Sequence, residues 1–221
     1  MTMKVCCLSD LHGNLPDVPD CDILLLAGDY CHNHHDLFWY NKNFRVWLSD
    51  LSERMAVFGV AGNHDFYFER HPDHAATFPW RYLQDGSVEE SRGLRIYGSP
   101  WQPRFHDWAF NLDEHELAKK WADIPDDTDI LILHGPPHGI GDLARDERGM
   151  PVHVGSPSLA KRIEEIRTRL VVFGHIHAGY GVYKSGRTTY VNASHCDERY
   201  RPVNAPILLT FDMNDFARDA E

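Results

Sequence analysis

Leu24-Leu25-Leu26-Ala27-Gly28-Asp29 is an uninterrupted apolar run that stops at a glycine and a carboxylate. A short apolar run bounded by turn residues reads as a strand in a sheet covered on both faces, here Ile23–Ala27. Asp29 then stands at the carboxyl end of that strand. Open α/β sheets place their ligands there, because the backbone leaves the sheet and opens a crevice. A lone strand ending in Gly-Asp proves little, so the fold turns on whether other strands end the same way.

Four more do. Lys4–Leu8 ends in Ser9-Asp10-Leu11-His12-Gly13-Asn14, and Met55–Val60 in Ala61-Gly62-Asn63-His64-Asp65. Asp129–Leu133 runs into His134-Gly135-Pro136-Pro137, and Leu170–Phe173 into Gly174-His175-Ile176-His177. One or two such endings are chance; five in one chain imply a shared site. In an extended segment residues two apart face the same side, which predicts that Asp10 and His12 chelate together and that His175 and His177 share a side. Imidazoles and carboxylates with one amide and no thiolate suit Mn²⁺, Fe, Zn²⁺, Ni²⁺ or Mg²⁺. The donors outnumber what one tetrahedral zinc needs, whereas two divalent ions sharing a carboxylate use them all. His64 beside Asp65 reads as an imidazole oriented by a neighbouring carboxylate.

Composition narrows the partners. The 221 residues are 43% hydrophobic and 25% charged, enough for one sizeable domain over residues 1–221. A formal charge of -11 argues against a broad footprint for a nucleic-acid backbone or an anionic membrane. No long apolar span and no basic-then-apolar leader is seen at Met1–Leu8, so the expectation is a cytoplasmic protein without a membrane partner. Cys6, Cys7, Cys21, Cys31 and Cys196 are odd in number and lack C-x-x-C spacing, which disfavours a disulfide framework and a zinc ribbon.

The remaining segments read as scaffold. Leu37 to Arg54 has helical periodicity with Asp36 as N-cap, and Phe66–Gln84, interrupted by Pro72 and Pro79, reads as a loop over the site mouth. Ser87–Glu90 and Leu94–Tyr97 form a hairpin. Asn111 caps a helix through Trp121 with Glu114 completing a capping box, and Ser156-Pro157 opens a helix through Arg169. A further hairpin turns at Lys184-Ser185-Gly186-Arg187, and Ile207–Phe211 closes the sheet. Among the 15 histidines, His32, His34 and His35 read as a solvated rim, and His71, His74, His106 and His115 as solvated. His138, His153 and His195 lie near the metal-type segments, within range of a substrate phosphate.

Asp10-x-His12, Gly28-Asp29, Gly62-Asn63-His64-Asp65, His134 and Gly174-His175-x-His177 resemble the ordered motif set of calcineurin-like metallophosphoesterases. Gly98-Ser99-Pro100-Trp101, His134-Gly135-Pro136-Pro137, Gly174-His175-Ile176-His177-Ala178-Gly179-Tyr180-Gly181 and Asn192-Ala193-Ser194 are similar to the small class III cyclic-nucleotide-phosphodiesterase-like branch. The resemblance implies an α/β fold with a two-sheet β-sandwich flanked by helices, in four layers. It implies one ion on Asp10, His12 and His177, a second on Asn63, His134 and His175, and Asp29 bridging them. His64 would protonate or polarise the leaving oxygen, with Asp65 fixing its tautomer. Tyr30-Cys31 after the bridging aspartate departs from many relatives.

Two divalent ions against two carboxylates leave a local charge of about +2, or roughly +1 with a bridging hydroxide. An acidic protein thereby gains a cationic pocket suited to in-line attack on a phosphate ester. The expected substrate is a small nucleotide-like phosphodiester. Phosphomonoester or dinucleoside-polyphosphate hydrolysis uses the same donors, and a non-catalytic scaffold would have lost some of them. Phe66, Tyr67, Trp101 and the loop near His195 are candidate walls for a base, although aromatic loops more often simply pack.

Overall fold

Alternation within the apolar runs decides which faces they serve. The computed structural model describes residues 2–32, 37–166 and 168–216. In β2 (Ile23–Leu26), Ile23 and Leu25 face one core while Leu24 and Leu26 face another. Strand β1 (Thr2–Leu8) divides likewise, with Val5 and Cys7 on one side and Cys6 and Leu8 on the other. Far along the chain, β9 (Ile130–Leu133) and β12 (Leu170–Phe173) send Ile130, Ile132, Leu170 and Val172 into the core that β1 and β2 share. Their alternate residues Leu131, Leu133, Val171 and Phe173 enter a third core. A period of two, buried on both faces, therefore generates two face-to-face sheets with helices outside each.

The first sheet has the order β15-β1-β2-β3-β4, adding β3 (Ala56–Gly59), β4 (Arg81–Tyr82) and β15 (Ile207–Asp212). Strands β1 to β4 run parallel, and β15 is antiparallel to β1. The second sheet is β13-β14-β12-β9-β6-β5, with β5 (Gly86–Glu89), β6 (Arg95–Ser99), β13 (Gly181–Ser185) and β14 (Thr188–Asn192). Its inner strands β6, β9, β12 and β14 are parallel, and hairpin partners flank them. Beyond their carboxyl ends the sheets are stitched together, because the Ser9 amide donates to Ala193 O at 2.9 Å and the His195 amide to Ser9 O at 2.8 Å. This architecture is the four-layer α/β sandwich that the resemblance implies.

Helices depart from the sequence reading in informative ways. The Leu37–Arg54 helix contains α1 (Leu37–Trp39), a π-helical turn (Tyr40–Phe44) and α2 (Arg45–Ser52); Asp36 lies outside the described residues. Phe66–Gln84 is not a loop. It forms α3 (Phe66–Arg70), α4 (Pro72–Ala75) and β4, since Pro72 starts a helix where its missing N–H costs nothing. Its own Phe68, Phe78 and Trp80 are buried in the core beneath the first sheet's outer face. Helix α5 (Glu114–Ala122) is capped two residues later than expected, by Asp113 with Glu116 completing the box. Asn111 instead donates to the carbonyls of Phe105 and His106. Helix α6 (Pro157–Ile166) starts as its sequence requires, with Ser156 Oγ accepting the Leu159 amide. Two short pairs complete the structure: β7 (Gln102–Pro103) with β8 (Asn111–Leu112), and β10 (Leu143–Arg145) with β11 (Pro151–His153). All five cysteines are free, and no described helix is long and apolar enough to cross a membrane.

Candidate metal centre

Strand ends β1, β2, β3, β9 and β12 meet at one edge of the sandwich and bring all seven metal-type residues together. The chain there is not extended. Asp10, His12, Asp29 and His175 have φ of 53°, 43°, 58° and 65°, a left-handed conformation that costs a non-glycine residue energy and persists only when its surroundings impose it. The Asp10 amide donates to Gly28 O at 2.9 Å and the His12 amide to Asp29 O at 3.0 Å, zipping the turn after β1 to the turn after β2. The nearness of Asp10 and His12 therefore comes from a turn and not, as the spacing predicts, from an extended segment.

Asp10 Oδ1 lies 3.2 Å from His177 Nε2, which is 3.3 Å from His12 Nε2. On the other side, Asn63 Oδ1 lies 2.7 Å from His134 Nε2 and 2.6 Å from His175 Nδ1. His175 and His177 thus part company and serve opposite clusters, against the expectation of a shared side. Between the clusters sits Asp29, whose Oδ2 is 3.9 Å from His12 Nε2, 3.5 Å from His134 Nε2 and 3.9 Å from His64 Nε2.

The donor chemistry fits a cation. His134 Nδ1 donates to Ala27 O at 2.7 Å and His177 Nδ1 to Asp197 O at 2.8 Å, so in each neutral ring Nε2 presents a lone pair. Those lone pairs face the acceptor oxygens of Asn63, Asp29 and Asp10, and such convergence requires a proton or a metal ion. Ligand atoms of Asp10, His12 and His177, and of Asp10, Asp29 and His134, fall within 4.8 Å of one another. In the metal-free protein, burial opposes charge on His134 and His177, but the Asp29 and Asp10 carboxylates prevail and raise each imidazole to about 9. Burial lowers His12 to about 4 and, with His134 beside it, His175 to about 3. Burial works against ionised Asp10 and Asp29 too, yet His177 and His134 hold both below the usual carboxylate range. Space is as tight as charge: a Cβ on Gly174 would sit 2.0 Å from Asp10 Oδ2, and one on Gly62 2.3 Å from Asp29 Oδ1.

Asp65 does not orient the His64 ring. Its buried carboxylate accepts the amides of Asp29 (2.8 Å), Tyr30 (3.0 Å) and Gly62 (2.7 Å) and the Tyr40 hydroxyl (2.6 Å), and among the described residues it makes no bond to that ring. Burial and the Asp29 charge push it up to about 7. Asp65 therefore ties the turn after β2 to the turn after β3. Tyr30 serves the same end: its hydroxyl donates to Val60 O at 2.5 Å and its ring stacks on Phe44 at 4.5 Å. The His64 amide donates to Asp29 Oδ1 at 2.7 Å, which places its side chain beside the bridging position.

A cavity of about 580 Å³ opens over Asp29, Asn63, His64, His175 and His177, walled by Phe105, Trp108 and Tyr200. Phe66, Tyr67 and Trp101, the expected walls, pack against the cores instead. Tyr200 belongs to the segment after His195, whereas Trp108 and Phe105 carry no sequence signal that separates them from packing aromatics. The Tyr200 ring lies 4.5 Å from that of His12, and Trp108 lies 4.8 Å from His64. His195 is buried, with Nδ1 2.6 Å from Asn204 O, and does not line this cavity. His153 pairs with buried Asp142 at 2.7 Å and lies 5.3 Å from the His138 ring, tilted by 46°, also outside the lining. His32 is exposed; His34 and His35 lie outside the described residues.

Comparison with known proteins agrees with this geometry. The profile of calcineurin-like phosphoesterases matches residues 3–179. The human metallophosphoesterase domain-containing protein 1 is 38% identical over 232 residues, covering 92% of this chain and 69% of its own length, as is the protein of that name from Mus musculus. Similar folds occur in the protein TT1561 of Thermus thermophilus (TM-score 0.61, 16% identity, 96% and 99% of the two chains). They occur also in a phosphopantetheinyl hydrolase from Mycobacterium tuberculosis (TM-score 0.55, 15% identity, 89% and 90%). With its matched span covering β1 through the His177 turn, the chain belongs to the calcineurin-like phosphoesterase family.

Proposed function

We propose that this protein is a metal-dependent phosphodiesterase, with Asp10, His12 and His177 holding one divalent ion, Asn63, His134 and His175 a second, and Asp29 shared. The observation that carries the reading is the position of Asp29 Oδ2, 3.9 Å from one imidazole cluster and 3.5 Å from the other. When bound, the ions supply positive charge to the phosphoryl oxygens and acidify the attacking water. The chain supplies the rest. Carbonyls of Ala27 and Asp197 fix the tautomers of His134 and His177, and Asp65 holds the Asp29 turn from beneath. His64, anchored through its amide on Asp29, gives a proton from Nε2 to the departing ester oxygen.

A diester is favoured because the first cavity meets a second of about 550 Å³ at His177 and Glu198, leaving room for an ester group on each side of the phosphorus. The test is metal analysis of the protein followed by paired assays on bis(p-nitrophenyl) phosphate and p-nitrophenyl phosphate with Mn²⁺, Ni²⁺, Zn²⁺ or Mg²⁺. Two ions per chain and a preference for the diester are expected. Failure to bind metal sinks the reading, and a preference for the monoester replaces it with a phosphomonoesterase.

A further inference from the structure

The two cavities beside the metal-type cluster differ in lining, and only one contains the proton donor. His64, Phe105, Trp108 and Tyr200 line the first, together with Ala144 of β10 and Val154 just beyond β11. The second is polar, with Asp197, Arg199, Arg201 and Asn204 beside Tyr180. An acid must lie within hydrogen-bond reach of the oxygen it protonates, about 3 Å. The leaving oxygen therefore faces the first cavity.

Resting on the reading above, we propose that Trp108, with Phe105, forms a leaving-group subsite, so that the expelled ester arm is flat and aromatic while the retained arm occupies the polar cavity. Trp108 stands 4.8 Å from His64 and 5.3 Å from Phe105, centroid to centroid, with the latter at 80° to it. The platform is fixed. The Ala109 amide donates to Asn63 O at 3.1 Å, Gln102 Nε2 to Ala109 O at 2.9 Å, and the Phe110 amide to Glu69 Oε1 at 2.6 Å. Of the two arginines in this cavity, Arg104 is ion-paired with Asp113 at 2.7 Å, and Arg145 is held by a hydrogen bond to Gly149 O. Glu198, at the junction of the cavities, disfavours an anionic arm there. In the reaction, the water oxygen bonds to phosphorus and the P–O bond to the aromatic arm breaks. The electron pair leaves with that oxygen, which takes the His64 proton, and the proton lost by water restores His64.

The experiment compares wild type, Trp108→Ala and Trp108→Phe on methyl phosphodiesters whose leaving groups are p-nitrophenol, trifluoroethanol or adenosine. The variant-to-wild-type ratio on each substrate cancels its intrinsic reactivity. Trp108→Ala is expected to lower kcat/KM on the p-nitrophenyl ester ~10-fold more than on the trifluoroethyl ester, mainly through KM, the size of one lost aromatic stack, with Trp108→Phe recovering most of it. A matching loss on the adenosine ester identifies a nucleobase as an occupant; no loss there confines the subsite to simple aryl groups. Calorimetric binding of methyl (4-nitrobenzyl)phosphonate, which has no cleavable bond at that position, should weaken in parallel. Equal losses on the aryl and trifluoroethyl esters, or unchanged phosphonate binding, overturn the subsite. Absence of turnover by wild type on every ester overturns the phosphodiesterase reading instead, and the calorimetry still decides the subsite.

Discussion

The carboxylate of Asp65 lies beneath the backbone of Asp29 and accepts its amide hydrogen at 2.8 Å, so one buried acid holds the other's turn. Four donors converge on Asp65, and an amide in its place would turn an NH₂ group toward two of them. Asp65→Asn is therefore expected to cost about 2–4 kcal/mol of unfolding free energy, read from denaturant midpoints, together with weaker metal binding. His64→Ala should do the opposite, retaining metal and stability while kcat falls about 10²-fold. If Asp65→Asn lost activity with no loss of stability, the positioning role would be wrong.

Asp29 faces both clusters, while His12 belongs to that of Asp10 and His177. Elemental analysis of Asp29→Asn should show both metal positions depleted together. His12→Ala should mainly empty one, leaving about half the metal of wild type. Equal depletion in the two variants would argue against a shared carboxylate.

Removal of metal should make stability fall as pH rises. His134 and His177 are raised to about 9 in the folded metal-free protein, above the ordinary 6.5. The folded state then binds more protons than the unfolded one between those values. Their contribution is complete below pH 6.5 and disappears through pH 9. Thermal melts in chelator should show a midpoint that declines over this interval, and metal should reverse the trend, because metal binding releases those protons. A midpoint of the chelated protein that holds steady or climbs between pH 6.5 and 9 would contradict the assignment.

Gly174 leaves no room for a side chain, with Asp10 Oδ2 and Ser9 Oγ 2.0 and 2.1 Å from where its Cβ would stand. Gly174→Ala should cost about 1–3 kcal/mol or more and displace Asp10 from the cluster. Gly86→Ala, whose added Cβ would approach nothing closer than 3.9 Å, is the control and should leave stability and metal content nearly unchanged.

Much of the scaffold was readable because burial on both faces writes continuous apolar runs such as Ile130–Leu133, and strand ends announce themselves by a switch to Gly, Asp and His. Ser156-Pro157 likewise declared the start of α6. Local signals failed where partners are distant. Phe66–Gln84 resembled a loop because its aromatic spacing follows the helices and short strand that cover the first sheet, a pattern no single period describes. Asn111 satisfied the capping rule as well as Asp113 did, and the loop at Phe105 decided between them.

By itself, then, the chain's order of residues determined the strands, their alternation between cores, and the set of oxygen and nitrogen donors at their ends, because these depend on neighbours two residues apart. The motif resemblance already parted His175 from His177; only the tertiary structure decided that a left-handed turn at His175 parts them, that Asp65 supports Asp29, and that Trp108 rather than Trp101 faces the cavity. Those outcomes rest on left-handed turns at Asp10, His12, Asp29 and His175, and on hydrogen bonds between segments far apart in the chain, for which local sequence carries no period.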